Sequence, residues 1–279
     1  MKNLGFPLVR LNAPKAYLSD LYHRLMVMPW RWFILLCLLF FLLINLFFAA
    51  LYSLSPQGLA PVETTYWQNF FFSVQTFTTV GYGALSPQNY FTGFISSIEA
   101  FTGVFSTALM TGLMFSKYSR PTAKILFADK ILLTSMHGKK SIVARLANTR
   151  ANRIMNADLS LTMLIDEKTP EGVSIRRFYD LPLVRPRTPI FALGLLVTHE
   201  VAPGSVLDHL IANQQSDIEL LVSMEGHDET LGQTIYATKM YRYEEINFGG
   251  RFADILKRLP DGTRVLDFEP FHKIVDVKL

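Results

Sequence analysis

The run Thr76-Phe77-Thr78-Thr79-Val80-Gly81-Tyr82-Gly83 contains no acid, no base and no thiol. What it offers is main-chain oxygen. A cation that sheds its water needs about eight oxygens around each site, and a ring of backbone carbonyls can supply them. Gly81 and Gly83 admit torsions closed to residues with a Cβ, so successive carbonyls can be turned to one side. Thr79 adds a hydroxyl at the inner end, and Val80 and Tyr82 point away and brace the loop. One chain supplies one strip of oxygens, so four chains are needed to close the cage. The competing account is a glycine-rich turn with no chemistry, and only the flanking elements can separate the two. Other chemistry finds little support. The single cysteine, Cys37, lies in an apolar run, which excludes a disulfide scaffold. The six histidines have no metal-ligand spacing, and His227 and His272 read as surface or packing residues. No phosphate loop, dinucleotide fingerprint or nucleophile–base signature is present, so an enzyme is not expected.

The elements around the run are those of a membrane protein. Half of the 279 residues are hydrophobic and only 18% are charged, against about 25% charged in soluble domains. The excess sits in the first 116 residues, so a membrane domain precedes a soluble one. Disorder is excluded, since it requires low hydrophobicity and high net charge. Phe33 to Tyr52 is a stretch of 20 residues without a charged side chain, enough for ~30 Å of helix. It is too long for a signal-peptide core, and no small-residue cleavage site follows. A second span, Phe91–Phe115, contains Gly93, Gly103, Gly112 and one acid, Glu99. Lys2, Arg10, Lys15, Arg24 and Arg31 precede the first span, and Lys117, Arg120, Lys124 and Lys130 follow the second. The positive-inside rule puts both termini in the cytoplasm. Trp30 and Trp32 mark the inner interface, Tyr66 and Trp67 the outer one. The connection Ser53–Tyr90 has one charge, Glu63, and is too apolar for a solvated loop. Its segment Trp67–Thr78 reads as a helix too short to span. A re-entrant helix and loop satisfies both constraints, because irregular backbone at membrane depth must be buried in protein or line a watery cavity.

In that setting the five residues Thr79–Gly83 match the TVGYG filter of potassium channels. That the ion is potassium comes from this match, not from the physics of the loop. The chain resembles potassium channels with two membrane helices per subunit. The segments PWRWF (29–33), SKYSRP (116–121), RLANTR (145–150) and MEGHDET (224–230) make it similar to the prokaryotic inward-rectifier family. The resemblance implies a homotetramer with K+ bound at Thr79, Val80, Gly81 and Tyr82 as permeant ion, and no cofactor. It implies an amphipathic helix along the inner membrane surface from about Lys15 to Met28, which the recurrence of Leu18, Leu21, Tyr22 and Leu25 supports. On the second span Gly103, Thr107, Thr111 and Phe115 recur every four residues, one helix face. In the family this face lines the cavity, with Thr107 and Thr111 in it and Phe115 as a hydrophobic gate. Packing of Phe115 against a neighbouring helix is the alternative. Gly103 is either a hinge or a close-packing site. Lys117, Arg120 and Lys124 read as an anionic-phospholipid site, or as the positive-inside bias alone.

Two departures matter. Strong rectifiers in the family carry an acid where this chain has Thr107, so strong polyamine block is not expected. Many relatives carry an acid where this chain has Gln75, so the ion pair that braces the filter is replaced by hydrogen bonds. Glu99, an intramembrane acid, is placed to sit behind the filter and pair with pore-helix donors, and a proton-sensing role is open.

The expected fold class is an α-helical pore domain, two transmembrane helices plus a re-entrant pore helix and filter loop, followed by an all-β immunoglobulin-like cytoplasmic sandwich. The expected domains are 1–31 (cytoplasmic, with the interfacial helix), 32–116 (outer helix 32–54, pore helix 67–78, filter 79–83, inner helix 91–116) and 117–279. The cytoplasmic half has nearly balanced charge, unlike a nucleic-acid surface. Ile131–Met136 and Ser141–Leu146 flank a hairpin turn at His137-Gly138. Further strands are expected at Leu159–Ile165, Val173–Phe178, Ile190–Thr198, Glu219–Met224 and Thr234–Tyr241, and a short helix over Phe252–Leu259. The function read from all this is a gated potassium channel in the cell's inner membrane. The rival readings are a membrane-anchored binding protein with a non-conducting pore remnant, and a membrane enzyme.

Overall fold

A computed structural model describes residues 21–60, 64–213 and 217–276. The described residues divide into two compact units, one ending at Arg120 and the other starting at Pro121.

The first unit is helical. Helix α1 (Leu21–Val27) falls within the stretch Lys15–Met28 where a helix is expected; residues 15–20 lie outside the described residues. Pro29 separates it from α2 (Trp30–Ser53). Both α2 and the last helix, α4 (Tyr90–Tyr118), are long and apolar enough to cross a membrane. Leu35, Leu38, Leu39, Leu42 and Leu43 of α2 are exposed, an apolar surface that a soluble core helix would bury. Between the spans lies α3 (Tyr66–Phe77), which starts on a reciprocal cap between Thr65 and Gln68. The short strands β1 (Leu59–Ala60) and β2 (Ser86–Pro87) pair across the outer ends of this connection. Phe48 and Tyr52 of α2 pack with Leu59 of β1 and Phe72 of α3, which seats α3 against the first span.

The second unit holds two five-stranded sheets. Its strands are β3 (Ile125–Phe127), β4 (Ile131–Met136), β5 (Lys139–Asn148), β6 (Ile154–Lys168), β7 (Ser174–Leu181), β8 (Arg187–Phe191) and β9 (Gly194–Glu200). After helix α5 (Val206–Ala212) come β10 (Glu219–Asp228), β11 (Gln233–Arg242) and β12 (Ile246–Phe248). One sheet runs β11-β10-β6-β7 with β8 also on β6, and the other runs β12-β4-β5-β3 with β9 also on β5. Only β12–β4 is parallel among these pairs. The sheets bury Ile142, Ala144 and Leu146 of β5 against Leu161 and Met163 of β6 and Leu220 and Val222 of β10. This is the expected sandwich. His137 and Gly138 both take positive φ, the twist a two-residue hairpin turn needs.

Strand β5 reads as an unbroken buried run because its other face is covered too. Val143 and Ala147 pack under Phe252, Ile255 and Phe271 of the C-terminal segment. Arg145 lies in this second layer, its guanidinium 4.6 Å from the Phe252 ring centre, donating to the Phe271 carbonyl at 3.2 Å. Burial pulls its pKa down. The covering segment is not the helix expected over Phe252–Leu259. It forms β13 (Arg251–Phe252), β14 (Leu256–Arg258), β15 (Arg264–Leu266) and β16 (Ile274–Val275), paired β13–β16 and β14–β15. The expected strand Ile190–Thr198 is likewise two strands, β8 and β9, on different sheets.

Candidate functional site

Helix α3 ends at Phe77, and its last turn governs the loop that follows. The amides of Val80 and Gly81 donate to the Gln75 carbonyl at 2.8 and 3.2 Å. The Tyr82 amide donates to the Gln75 side-chain Oε1 at 2.9 Å. One residue therefore takes three consecutive loop amides. In a trans peptide the C=O points opposite to the N–H, so the carbonyls of Thr79, Val80 and Gly81 face away from α3. Thr79, Gly81 and Gly83 have φ of +61, +55 and +80°. Positive φ at alternate residues turns successive peptide planes the same way, and two of the three positions are glycine. The hydrogen bonds expected in place of an ion pair at Gln75 are present. Thr79 shares the left-handed conformation although it carries a β-branched side chain.

Within one chain the outer side of the loop is bare. Val80 is 54% and Tyr82 82% exposed, so whatever they brace lies outside this chain. Along α4, Gly103 is buried against the loop's root: a Cβ there would sit 2.1 Å from the Phe77 carbonyl oxygen. This favours the close-packing reading of Gly103. Thr107 and Thr111 lie on the open side of α4, with the Thr111 hydroxyl donating to the Thr107 carbonyl at 2.8 Å. Phe115 is 71% exposed, so it does not pack within its own chain.

Glu99 is fully buried behind α3. It accepts a hydrogen bond from the Tyr52 hydroxyl at 2.5 Å and is hydrogen-bonded to Ser73. The sequence pointed to a pore-helix partner; the second partner, on α2, had no sequence signal.

The Lys117 side chain is buried. Its ammonium donates to the carbonyls of Leu25, Met26 and Met28 at 2.9, 3.0 and 2.6 Å, and lies 5.5 and 5.2 Å from the Trp30 and Phe33 ring centres. The reason is local. The end of α1 leaves carbonyls without helical partners, and a lysine at the foot of α4 satisfies them. Arg120 and Lys124 have exposed side chains. Among the described residues no His, Cys, Asp and Glu cluster is disposed to hold a metal ion. His272 accepts from the Asp129 amide at 3.1 Å.

Two apolar spans, a short helix between them and a loop of aligned carbonyls define an ion channel of the two-helix type. The chain belongs to the inward rectifier potassium channel family. Residues 125–279 match the family's "Inward rectifier potassium channel C-terminal domain" and residues 34–120 match "Ion channel". The chain is 36% identical over 273 residues to the inward rectifier potassium channel Kirbac3.1 of Paramagnetospirillum magnetotacticum, covering 96% of this chain and 92% of that one. It is 28% identical to the G protein-activated inward rectifier potassium channel 3 of Mus musculus, covering 94% and 72%. With the inward rectifier potassium channel irk-1 of Caenorhabditis elegans it shares 25% identity, covering 96% and 55%. The protein is thus a membrane channel of a potassium-conducting family, not an enzyme.

Proposed function

We propose that four copies of this chain close a pore through which K+ crosses the cell's inner membrane passively, both termini lying in the cytoplasm. Residues 1–31 are the cytoplasmic lead-in, 32–116 the pore domain and 117–279 the cytoplasmic domain. Thr79, Val80, Gly81, Tyr82 and Gly83 form the filter, whose carbonyls replace the water the ion sheds. The observation that carries this reading is the capture of three consecutive loop amides by Gln75, which leaves the carbonyls facing the other way. K+ is the permeant ion, and no cofactor takes part.

The test is flux through the purified protein in liposomes, with and without anionic phosphoinositides. Passage of K+ and Rb+ but not Na+, blocked by Ba2+, supports the reading. Equal Na+ and K+ flux, or none under any lipid, overturns it. Arg120 and Lys124 are exposed and take the anionic lipid; Lys117 acts on α1 instead.

Phe115 is the gate, four copies forming a constriction that excludes water. Phe115→Ala is expected to raise basal flux by about an order of magnitude, the change that ~1.4 kcal/mol off the barrier produces. Unchanged flux moves the gate elsewhere. Thr107 lines the cavity as a neutral residue, so polyamine block is weak. Thr107→Asp is expected to strengthen spermine block about tenfold, since a charge pair at ~4 Å is worth from ~1 kcal/mol in water to ~4 kcal/mol in a half-dry site. No change in block means that residue 107 does not face the cavity.

A further inference from the structure

Among the described residues, Glu99 sits between three helices with no cation in hydrogen-bond reach. Among the described residues of α2, α3 and α4 the basic side chains are Arg31 and Lys117 alone. Lys117 lies about 27 Å down α4 at ~1.5 Å per residue, and Arg31 is at the start of α2, at the opposite end from Tyr52. The only titratable group facing Glu99 from α2 is Tyr52, and α3 offers the Ser73 hydroxyl. A bare carboxylate in such surroundings is expensive.

Proton counting decides which form fits. The Tyr52 hydroxyl donates to Glu99 Oε2. The Ser73 Oγ is in contact with both Glu99 Oε1 and, at 3.0 Å, Asn45 Oδ1. The Asn45 amide nitrogen is committed to the Phe41 carbonyl at 2.7 Å, which fixes Oδ1 as an acceptor toward Ser73. Ser73 has one proton for two acceptors. If Glu99 is ionised, either the carboxylate or Asn45 goes without. If Glu99 is neutral, it donates to Ser73, Ser73 donates to Asn45, and Glu99 Oε1, Ser73 Oγ and Asn45 Oδ1 each have a partner.

We propose that Glu99 is a positioning residue of the filter that acts as a neutral acid, its proton completing a hydrogen-bonded line from α4 through Ser73 of α3 to Asn45 of α2. This rests on the filter reading above. Ser73 is two residues before Gln75, which holds the three loop amides, so a shift of α3 is a shift of the loop. Glu99–Ser73 and Gly103–Phe77 are spaced four residues apart on both helices, two contacts that set the register of α4 on α3. Removing the proton makes Ser73 turn to Glu99, and the tie to α2 is lost.

Rb+ flux in liposomes, measured from pH 7 to strongly alkaline pH on both faces, tests this. The wild type is expected to lose flux reversibly as pH rises. Glu99→Gln keeps an N–H for Ser73, with one further N–H left over, and is expected to conduct with a flat profile. Ser73→Ala is expected to lower flux about tenfold at every pH, the scale of one unmade buried hydrogen bond. A wild-type slope that persists in Glu99→Gln, a flat wild-type profile, or a Ser73→Ala channel equal to the wild type overturns the proposal. A second readout does not need conduction. The infrared difference between wild type and Glu99→Gln at neutral pH should contain a protonated-carboxyl C=O band. Its absence overturns the neutral acid whatever the flux, whereas its presence in a protein without K+-selective flux removes only the filter reading.

Discussion

Gly81→Ala is expected to abolish potassium-selective flux. Gly81 has φ +55°, and beyond its sequence neighbours no atom of its own chain lies within 4 Å of where its Cβ would be, so within the chain the cost is torsional and not a clash. A residue with a Cβ pays roughly 1–2 kcal/mol in the left-handed region. Thr79 already sits there at φ +61°, two residues earlier, held by the same turn. A second strained residue in each of four strips adds roughly 4–8 kcal/mol to one filter. The loop relieves this by turning the 80–81 peptide, which removes the Gly81 amide from Gln75 and one carbonyl from the ion path. Rb+ flux should drop at least about 100-fold, with a tetramer of normal size by gel filtration. Retained K+ over Na+ selectivity in this variant would mean that residues 79–83 are not the filter.

Gly103→Ala is expected to damage assembly before it affects opening. A Cβ at 103 would lie 2.1 Å from the Phe77 oxygen and 2.9 Å from its carbon, and both are backbone atoms with nowhere to go. Overpacking of this kind costs about 1–3 kcal/mol per site. Because Phe77 is the last residue of α3, the displacement arrives directly at the loop. A lower melting temperature of the purified channel, together with loss of Rb+ flux, is the expected result. A hinge at Gly103 predicts the opposite: wild-type melting and altered opening. The two measurements separate the readings that spacing alone left open.

Much of this fold is legible in the sequence because the membrane enforces simple rules. Charge-free runs, basic flanks and an apolar connection locate α2, α3 and α4 within three residues of Phe33–Tyr52, Trp67–Thr78 and Phe91–Phe115. The hairpin at His137-Gly138 is legible through its turn residues. The segment after Gly249 is not, because Phe252, Ile255, Leu256 and Leu259 happen to fall at 3, 4 and 7. The backbone obeys the positive-φ glycines 249, 250 and 262 instead; Phe252 and Ile255 cover β5, while Leu256 and Leu259 are exposed. Helix α5 carries a start signal of its own: Ser205, three residues before Asp208, accepts from the Asp208 amide, and the helix it caps buries Leu207 and Ile211 in the core. Gln75 was legible as a hydrogen-bonding substitute, but not which amides it takes. Asn45 and Tyr52 meet Ser73 and Glu99 only because α2 and α4 pack on α3. The embrace of α1 by Lys117 is invisible for the same reason, since a lysine after a span looks like any other positive-inside charge.

The bare outer faces of Val80 and Tyr82 carry a consequence for inheritance and for experiment alike. If the walls of each strip belong to other copies, a damaged copy spoils its healthy companions. Co-expressing equal amounts of intact and Gly81→Ala chains would leave about one ring in sixteen wholly intact, if copies mix at random in fours. Activity should fall far below half, and the depth of that fall counts the copies in the ring.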